Sequence, residues 1–559
     1  MTRFHSINEK KFMKRKIGVL AIAFVLFIGL QSGQDRYFEI SKNIETFNML
    51  FKELNRHYVD DVDPSELMNI GISAMLESLD PYTVYLSGAE LDNYRMATTG
   101  QYGGIGARIG MINDEVIVTD PYEDFPAFNA GLRAGDKIVA IDGKEVKGYN
   151  TEEISQILRG QPGTDVKVKV ERTVANETMD LTITRGDIKI KNVPFFGLIK
   201  DDIGYIKLSN FSENAGKEVG DALTALKTDY NIKGVVLDLR GNGGGLLHEA
   251  VNVTNVFIDK GQEVVSTRGK ETGNDKSYKT LNKAIDTEIP LVVMTDGGSA
   301  SASEIVSGAI QDLDRGVIVG QTTFGKGLVQ ITRPLPYKSK LKVTTSKYYI
   351  PSGRCIQAID YGNRHLDENA KQIPDSLRRA FKTKAGREVL DGAGIDPDIA
   401  VPIDRIANIS VSLISKNHIF NYATEYWHKH ETLRDSTKFS LTDSEFEDFK
   451  NYLADKDYSY ETASEKKLKE LQKASEEESY HDAIETLIAD LESKIIEDKK
   501  NDINKNKDEI KRILELEIVS RYEFQKGRIQ NSLYDDPDVI DALKLFENQD
   551  NYKKILAKK

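Results

Sequence analysis

Three serines alternate with alanines in the segment Gly297-Gly-Ser-Ala-Ser-Ala-Ser-Glu304, which follows an apolar strand pattern and precedes an apolar helix pattern. A hydroxyl at such a junction is presented to solvent, and the free N–H groups at the helix start can bind a developing oxyanion. The segment is therefore a candidate site for a serine nucleophile. Helix capping by Ser299 or Ser301 is the simpler interpretation, and the segment alone would favour it.

A lysine between two glycines supplies a partner for such a serine, in Gln321-Thr-Thr-Phe-Gly-Lys326-Gly-Leu-Val-Gln330. The glycines permit tight backbone geometry and let the amine approach a neighbouring element. A serine hydroxyl needs a base before it can attack, and a desolvated lysine with a lowered pKa can take its proton without a histidine. A Ser–Lys pair is thus chemically sufficient for nucleophilic catalysis.

The same lysine also fits a phosphate-binding pattern, since Gly320–Lys326 matches G-x-x-x-x-G-K. The pattern fails at Gly327, where a serine or threonine should hold magnesium. The following residues, Leu328–Leu335, have strand character where the phosphate-cradling helix should begin. Nucleotide binding is accordingly the weaker interpretation.

Histidine and cysteine chemistry has little support. Of eight histidines, His248 alone falls among the predicted α/β strands, and His428 and His430 fit surface positions better than a metal site. The chain has no G-x-S-x-G elbow and no H-E-x-x-H motif. One cysteine, Cys355, excludes an intramolecular disulfide and every cysteine-cluster metal site. We expect no metal and no cofactor.

Two further segments could hold the carbonyl oxygen or the end of a peptide. Asp238-Leu-Arg-Gly-Asn-Gly-Gly-Gly245 follows an apolar strand, and its N–H groups could complete an oxyanion hole, although a plain tight turn explains it equally well. Tyr102-Gly-Gly-Ile-Gly106, with the later Pro126–Gly143, could capture a terminal carboxylate beside a free strand edge. The alternative for this second pair is an inert β spacer.

The elements around these segments change along the chain. Helical apolar spacing fills 37–86, short β runs with one helix fill 100–185, and strands alternate with helices from 203 to 402, as in an α/β layer architecture. The residues from 405 onward lack Gly-rich turns and read as helical. The strands and helices predicted with bounds are Val116–Thr119, Lys137–Ile141, Glu152–Leu158, Val166–Arg172, Met179–Thr184, Ala215–Leu226, Gly234–Leu239, Leu291–Thr295, Ser303–Gln311 and Gly316–Val319.

Composition limits the partners. The chain has 559 residues, more than one core usually supports, with 39% hydrophobic and 29% charged residues. Its formal net charge of −12 has the wrong sign for a protein that neutralises nucleic-acid phosphates over a broad surface. We therefore expect several soluble globular domains and no nucleic-acid partner.

The N-terminus has the layout of an export signal. Five basic residues between Lys10 and Lys16 precede the apolar stretch Ile17–Leu30, which is shorter than the roughly 20 residues of a relaxed membrane-spanning helix. No clean small-x-small cleavage site follows, so both a cleaved signal peptide and an uncleaved inner-membrane anchor stay open. The expected location of the remaining chain is the periplasm or cell envelope.

Together these residues resemble the carboxyl-terminal processing proteases, the tail-specific protease family (serine peptidase family S41), in which a PDZ domain precedes a Ser–Lys catalytic core. The resemblance runs from about Tyr37 to Pro402 and keeps the order of the family's motifs. The motifs that carry it are Leu79-Asp-Pro-Tyr-Thr83, the two peptide-end segments, Asp238–Gly245, Ser299–Ile305, Phe324–Gln330, Tyr349-Ile-Pro-Ser-Gly-Arg354 and Gly394-Ile-Asp-Pro-Asp398.

The resemblance implies a role for each site residue. Ser301 corresponds to the nucleophile, Lys326 to the general base and Gln330 to the residue that orients the lysine amine. The N–H groups of Gly245 and Ala302 would form the oxyanion hole. In the PDZ domain, the carboxylate-binding loop would be Gly104, Ile105 and Gly106, and Arg159 resembles an arginine that couples peptide binding to activation.

The sequence departs from the family at two places. The glycine turn reads Asn-Gly-Gly-Gly where many relatives have Asn-Pro-Gly-Gly, which should alter turn stiffness more than chemistry. Cys355 follows Arg354 where a serine is frequent, which would place an oxidisable thiol near the core.

The fold class implied is multidomain α/β, with a catalytic core of the ClpP/crotonase type. The predicted segments are a signal or anchor (1–34), a helical N-terminal region (35–99), a PDZ domain (100–185), the protease core (186–403) and a charged helical C-terminal region (404–559). Family analogy suggests oligomerisation or partner docking for the last segment, with a homo-oligomer left open.

The implied function is an exported serine endopeptidase that binds proteins or peptides by apolar C-terminal tails. PDZ binding of a tail is expected to shift the enzyme toward an assembled active site. Two rivals are a catalytically silent, membrane-anchored PDZ scaffold and, more weakly, a nucleotide-dependent machine using Gly320–Lys326.

Overall fold

The computed structural model describes residues 37–270, 275–361, 371–403, 405–478 and 480–557. The predicted signal or anchor at 1–34 lies outside these residues. Among the helices that are described, none combines the length and apolar character needed to span a bilayer. The chain divides into two compact units, Met1–Pro81 and Tyr82–Lys559.

The first unit contributes two described helices, α1 (37–57) and α2 (Pro64–Glu77). The start of α2 follows from its sequence, because Pro64 occupies the first helical turn and the Asp63 carboxylate accepts a hydrogen bond from Ser65 N at 2.7 Å. Helical apolar spacing thus predicted the structure of this region.

The second unit begins with β1 (Val84–Leu86) and α3 (Gly88–Thr99), which lead into a β-rich domain. Its main sheet has the strand order β3-β4-β5-β7-β8, with β6 paired to β5, and a separate β2–β9 pair adjoins it. The elements are β2 (Gln101–Gly104), β3 (Ala107–Ile112), β4 (Glu115–Pro121), α4 (Pro126–Asn129), β5 (Lys137–Ile141), β6 (Lys144–Glu145), α5 (Thr151–Leu158), β7 (Asp165–Arg172), β8 (Glu177–Thr184) and β9 (Gly186–Lys189).

The α/β core is built on a six-stranded sheet of order β10-β11-β12-β15-β16-β23, parallel except for the β10–β11 pair. Its strands are continuous apolar runs because both faces are covered. The elements are β10 (Phe195–Lys200), β11 (Ile203–Lys207), α6 (Ala215–Tyr230), β12 (Gly234–Asp238), α7 (Leu247–Phe257), β15 (Leu291–Thr295), α8 (Ala302–Asp312), β16 (Val317–Gly320) and β23 (Ile399–Ala400).

A second, antiparallel sheet lies beside this core and has the order β1-β18-β13-β14, with β17 also paired to β18. Two short antiparallel pairs, β19–β20 and β21–β22, complete the described residues before the C-terminal helices. The remaining strands are β13 (Glu263–Gly269), β14 (Lys276–Lys279), β17 (Leu328–Pro334), β18 (Lys340–Tyr349), β19 (Ile359–Asp360), β20 (Lys371–Gln372), β21 (Ala380–Lys382) and β22 (Glu388–Leu390).

The last part of the chain is helical, as predicted, and it divides into two clusters. The helices before the final two are α9 (Asn408–Ser415), α10 (His418–Lys429), α11 (Asp443–Tyr452), α12 (Ala463–Glu477), α13 (His481–Lys499), α14 (Asp502–Lys505) and α15 (Lys507–Ser532). Their core, centred on Leu413, Phe446 and Leu514, is built mainly by α9, α10, α11 and α15. The helices α12 and α13 pack against each other.

The final two helices, α16 (Pro537–Glu547) and α17 (Gln549–Leu556), instead cover one face of the six-stranded sheet. Phe546 packs so closely on Gly234 that a Cβ there would lie 2.6 Å from its ring. The buried Tyr552 hydroxyl accepts a hydrogen bond from Leu291 N at 2.9 Å. The helices α16 and α17 are therefore part of the α/β core and not an appendage to it.

Candidate active site and peptide groove

Ser301 is the N-cap of α8 and has φ 56° and ψ −109°, a backbone conformation that a non-glycine residue rarely adopts. The two flanking serines are fully buried and bonded to a neighbouring loop: Ser299 Oγ donates to Leu239 O at 2.9 Å and Ser303 Oγ to Asn242 O at 2.8 Å. Ser301 is partly exposed. Of the three serines, it is therefore the one placed to meet a substrate.

One buried carboxylate joins the serine loop to the lysine loop. Glu304 Oε2 accepts hydrogen bonds from Ser301 N at 2.7 Å and from Lys326 N at 2.9 Å. Its Oε1 accepts from Thr323 Oγ1 and Gly325 N, each at 2.6 Å. Burial raises the pKa of Glu304, and these hydrogen bonds oppose that rise. The backbones of Ser301 and Lys326 thus meet at a single oxygen atom.

Tight packing of its two glycines fixes the lysine loop. Gly325 has φ +87°, and a Cβ on it would lie 2.4 Å from Ala358 Cβ; a Cβ on Gly327 would lie 2.8 Å from Gln357 N. The Lys326 ammonium lies 4.2 Å from the centre of the Tyr82 ring. A strand, β17, follows the loop, so the helix that a phosphate-binding loop needs does not follow Lys326.

The glycine turn, residues 239–245, packs directly against the serine loop. Ala300 N donates to Asn242 O at 3.0 Å, and Asn242 Oδ1 accepts from Gly244 N at 2.9 Å. A Cβ on Gly244 would lie 2.6 Å from Ala300 O and 2.9 Å from both Ala302 N and Ser301 Cβ. The turn therefore has room beside Ser301 only for a glycine.

This packing gives a sharp prediction for Gly244→Ala. Gly244 has φ +97° as well as the contacts above, so a methyl group must displace either the turn or Ser301. We expect kcat/KM to fall at least about 100-fold, because displacements of about 1 Å at a catalytic centre cost that much.

The matched control for Gly244→Ala is the neighbouring Gly243→Ala. Gly243 is exposed, lacks a positive φ and has nothing within 4 Å of a built Cβ. It should keep kcat/KM within about threefold, since exposed substitutions of this kind rarely exceed ±0.5 kcal/mol. Equal activity in both variants would contradict the close approach of the turn to Ser301.

The two N–H groups predicted to bind the oxyanion lie on either side of this contact. Within the described part of the chain, neither Gly245 N nor Ala302 N donates a hydrogen bond to the protein. The Gly245 backbone is held by a bridge to Phe211, whose N–H donates to Gly244 O at 3.2 Å. Two free donors beside a partly exposed serine can donate hydrogen bonds to a tetrahedral oxyanion.

Gln330 lies in β17, next to an irregularity in its pairing with β18. Its amide nitrogen donates to Thr344 Oγ1 at 3.1 Å, and Thr344 N donates to Thr83 Oγ1 at 3.2 Å. The orienting role implied for Gln330 stays a prediction.

Two residues that build the site, Glu304 and Tyr348, were not predicted from the sequence. Tyr348 is 1% exposed; its hydroxyl donates to Ser301 O at 3.2 Å, and its N–H donates to Gly327 O at 3.0 Å. No local motif marks Tyr348. Glu304 did carry a signal, because Ser301-Ala-Ser-Glu304 reads as the helix-start pattern S-x-x-E, in which the glutamate bonds back to the serine backbone.

The β-rich domain carries a groove of about 190 Å³ between β3 and α5. Its lining includes Ile105, Ala107 and Ile109 from the strand side and Ser155 and Leu158 from the helix. At one end, Ile105 N and Gly106 N donate no hydrogen bond within the described residues. Gly106 has φ +75°, which a loop of successive inward N–H groups requires.

Gly104 and Arg159 lie near this groove with different partners. A Cβ on Gly104 would lie 2.8 Å from the Tyr102 ring, and Gly104 pairs with Gly186 across β2–β9. Arg159 follows α5; its guanidinium donates to Asn93 Oδ1 at 2.6 Å and stacks over Tyr102 at 5.7 Å. Arg159 thus joins the groove to α3, the helix that precedes the β-rich domain.

The β-rich domain also packs on the C-terminal helices, around a cavity of about 280 Å³. The rings of Phe128 and Phe524 meet edge to face at 5.1 Å, and a Cβ on Gly135 would lie 2.6 Å from Thr424 Cγ2. Phe524 has φ 53° and ψ −153° and kinks α15. Trp427, the chain's single tryptophan, lines the same cavity.

Comparison with known families agrees with this layout. Residues 202–362 match peptidase family S41, residues 103–183 match the PDZ domain, and residues 409–546 match the family described as "Probable PDZ-protease, C-terminal helical domain". Most residues that line the groove therefore fall inside the PDZ match, and Ser301, Lys326 and the strands β11, β12, β15 and β16 fall inside the peptidase match.

Three relatives can be compared over more than half of the chain. A carboxy-terminal-processing protease of Bartonella bacilliformis is 39% identical over 322 residues, 57% of this chain and 73% of the relative. Carboxy-terminal processing protease CtpA of Bacillus subtilis is 33% identical over 60% of this chain and 72% of the relative. A probable CtpA-like serine protease of Staphylococcus aureus is 37% identical over 56% of this chain and 62% of the relative.

Solved structures are also similar in part. The photosystem II D1 C-terminal processing protease is 28% identical, with a TM-score of 0.34 over 64% of this chain and 92% of the other. From the family matches and the Bartonella and Bacillus relatives, the chain is a serine protease of peptidase family S41, a carboxyl-terminal processing protease with a PDZ domain and a helical C-terminal domain.

Proposed function

We propose that this protease acts in the periplasm or cell envelope, binds polypeptides by apolar C-terminal tails and cleaves them with a Ser301–Lys326 dyad. The observation that carries the proposal is the Glu304 carboxylate, which accepts hydrogen bonds from the backbones of both Ser301 and Lys326. This contact holds a partly exposed serine and a lysine in one rigid frame. The two free N–H groups of Gly245 and Ala302 adjoin that frame.

The reaction then follows from the groups present. The neutral Lys326 amine takes the Ser301 hydroxyl proton while Oγ attacks the scissile carbonyl carbon. The carbonyl oxygen becomes negative and is held by Gly245 N and Ala302 N. The C–N bond breaks as the lysine ammonium returns its proton to the leaving amine, and water, deprotonated by the same amine, hydrolyses the acyl-enzyme.

Substrate selection is assigned to the PDZ groove. Free N–H groups of Ile105 and Gly106 suit a terminal carboxylate, while the edge of β3 can pair with an extended tail. The apolar side chains of Ile109 and Leu158 favour an apolar last residue. A protein with an accessible, unstructured and apolar C-terminus is thus the substrate class.

Tail binding is further proposed to gate activity, because Arg159 links the groove to α3 through Asn93. Occupation of the groove would shift a population toward the competent active site. Trp427 offers a direct readout, since it is the single tryptophan and lies where the PDZ domain meets the C-terminal helices. A tail peptide that moves the PDZ domain should change its emission.

The experiment uses the full chain, purified with a mild detergent, and an unfolded protein that ends either in a free apolar tail or in the same tail amidated. We expect the substrate with the free tail to be cleaved at least about tenfold faster than the amidated one. An amidated tail lacks the carboxylate that pairs with Ile105 N and Gly106 N, and leaving buried donors unpaired costs about 1–3 kcal/mol of binding free energy. The variant Ser301→Ala is the inactive control that gives the background rate. Combining Gly106→Ala with Arg159→Ala should remove the preference, whereas Gly148→Ala, which has φ +85° in open space, should keep it.

The outcomes separate the alternatives. Unchanged cleavage of an unstructured substrate by the Gly106/Arg159 double variant would end the gating proposal. Binding of tails without Ser301-dependent cleavage would favour the membrane-anchored PDZ scaffold. Fractionation of cells, with proteolysis of the exposed chain from the outside, tests export and whether the N-terminal segment remains as an inner-membrane anchor.

A further inference from the structure

Arg240 is the one charged residue of the glycine turn, and its side chain reaches away from the active site to the start of α16. The guanidinium donates to Asp536 Oδ1 at 3.0 Å and to Asp538 Oδ2 at 2.8 Å. It also donates to Asp238 Oδ2 at 2.8 Å. A stretch of nearly 300 residues separates Arg240 from its partners on α16, so the fold, and not local sequence, creates the contact.

The three carboxylates differ in how they are held. Asp238 is 1% exposed, pairs also with Lys207 at 3.1 Å and accepts from Tyr205 Oη at 2.6 Å. It would remain neutralised without the helix. Asp536 and Asp538, in contrast, have Arg240 as their ion-pair partner among the described contacts. Among the described residues, Arg240 is therefore the cation that neutralises both of these carboxylates.

The backbone on both sides of Arg240 is fixed by other bonds that converge on the active site. Arg240 O accepts from Lys207 Nζ at 2.7 Å, and Gly241 N donates to Asp296 Oδ1 at 2.8 Å. Two residues later Asn242 contacts the serine loop through Ala300. Because the turn is short and tightly hydrogen-bonded, a displacement of Arg240 would also displace the backbone of Gly244 and Gly245.

The apolar contacts of α16 do not depend on this ion pairing. Val539, Ala542 and Leu545 are buried against the sheet, and Tyr552 of α17 bonds to Leu291. Asparagine caps a helix as well as aspartate does, so Asp536→Asn keeps the capping bonds to Asp538 N and Val539 N. The charge can therefore be removed while the helix stays in place.

We propose that Asp536 and Asp538 of the C-terminal helix α16 are positioning residues for the oxyanion site, acting through Arg240 on the glycine turn. The assignment rests on the proposed catalytic role of Ser301 and of Gly245 N. The helix α16 would then help to stabilise the transition state, in addition to covering one face of the sheet. Substrate binding in the ground state does not involve the turn's orientation and should be unaffected.

The test compares the full-length chain with the double variant Asp536→Asn/Asp538→Asn and with Asp541→Asn. Asp541 lies on the same helix and pairs only with Lys544 among its described contacts, at 2.7 Å. Removing one oxyanion donor lowers kcat by about 100- to 1000-fold. A donor that is only displaced should therefore lower kcat by about 10- to 100-fold, while KM stays within about twofold of its value in the unmodified chain. Asp541→Asn should match the unmodified chain.

A second readout isolates the oxyanion. The site at which the unmodified chain cuts its substrate is first mapped by mass spectrometry, and a peptide aldehyde is made that ends at that residue. Ser301 Oγ adds to the aldehyde carbon, and the resulting oxygen lies on the two N–H groups, whereas the matching peptide alcohol cannot react in this way. We expect aldehyde affinity to weaken in proportion to kcat/KM and alcohol affinity to stay the same. If the double variant fails to fold, each single variant and Arg240→Lys replace it, with thermal unfolding recorded for all.

The outcomes distinguish this proposal from the one on which it rests. A folded double variant with unchanged kcat and aldehyde affinity, in a chain whose cleavage depends on Ser301, would overturn the positioning role alone. Equal loss of aldehyde and alcohol binding would also overturn it, because the helix would then act on the whole site. A chain whose cleavage does not depend on Ser301 would overturn both proposals.

Discussion

Ser301→Ala and Lys326→Ala are each expected to lower kcat by about 10⁴- to 10⁶-fold, and the double variant should lose little more, because groups that act as one unit are not additive. The shared bonds to Glu304 give the physical reason: serine and lysine are held as one frame, and neither works alone. Single-turnover cleavage of an unfolded protein measures kcat over this range, and thermal unfolding checks the fold.

The variant Lys326→Arg tests whether Lys326 acts as a general base or only supplies a positive charge. A guanidinium keeps the charge near the Tyr82 ring but cannot release its proton at working pH, so the arginine variant should be as inactive as the alanine variant. Lys338→Ala, at the exposed turn between β17 and β18, is the control and should be unchanged. Substantial activity in Lys326→Arg would show that the lysine acts electrostatically and that the base lies elsewhere.

The sequence predicts this site well where chemistry is local. Lys137–Ile141 and Leu291–Thr295 are strands with the predicted bounds, because short runs rich in β-branched residues between turn residues favour a strand over a helix. The placement of Ser301 at a helix start, and of a strand directly after the Lys326 loop, also follows from local pattern. Local pattern thus locates the loops that carry the reactive side chains.

Long-range partners were not predictable in this way. The helical character of the C-terminal region is visible in its composition, but nothing local indicates that Tyr552 bonds to Leu291 or that Asp538 pairs with Arg240. Amphipathic spacing specifies a face to bury and leaves its partner undefined. Glu304 marks the boundary between the two cases: its bond to Ser301 has a sequence signature, and its bond to the Lys326 backbone does not.

Glu304→Gln should be the most damaging change among residues that do not touch the substrate. The carboxylate is fully buried and accepts four hydrogen bonds, whereas an amide can accept with only one end. Its NH₂ group must face either the two backbone donors Ser301 N and Lys326 N, or Gly325 N together with the Thr323 hydroxyl, which would have to turn its proton away. We expect kcat to fall about 100- to 1000-fold and the free energy of unfolding by about 2–4 kcal/mol.

Glu249→Gln is the matched control, since Glu249 is a buried glutamate of the adjacent helix α7 that bonds Gly216 N at 2.8 Å, away from the serine loop. It should lose stability without a comparable loss of kcat. The ratio of kcat loss to stability loss therefore separates the two roles. If Glu304→Gln lost stability but kept kcat, the carboxylate would stabilise the fold without aligning Ser301 and Lys326. The rigid frame proposed for the dyad would then have to come from Tyr348 of β18, whose hydroxyl donates to Ser301 O and whose N–H donates to Gly327 O.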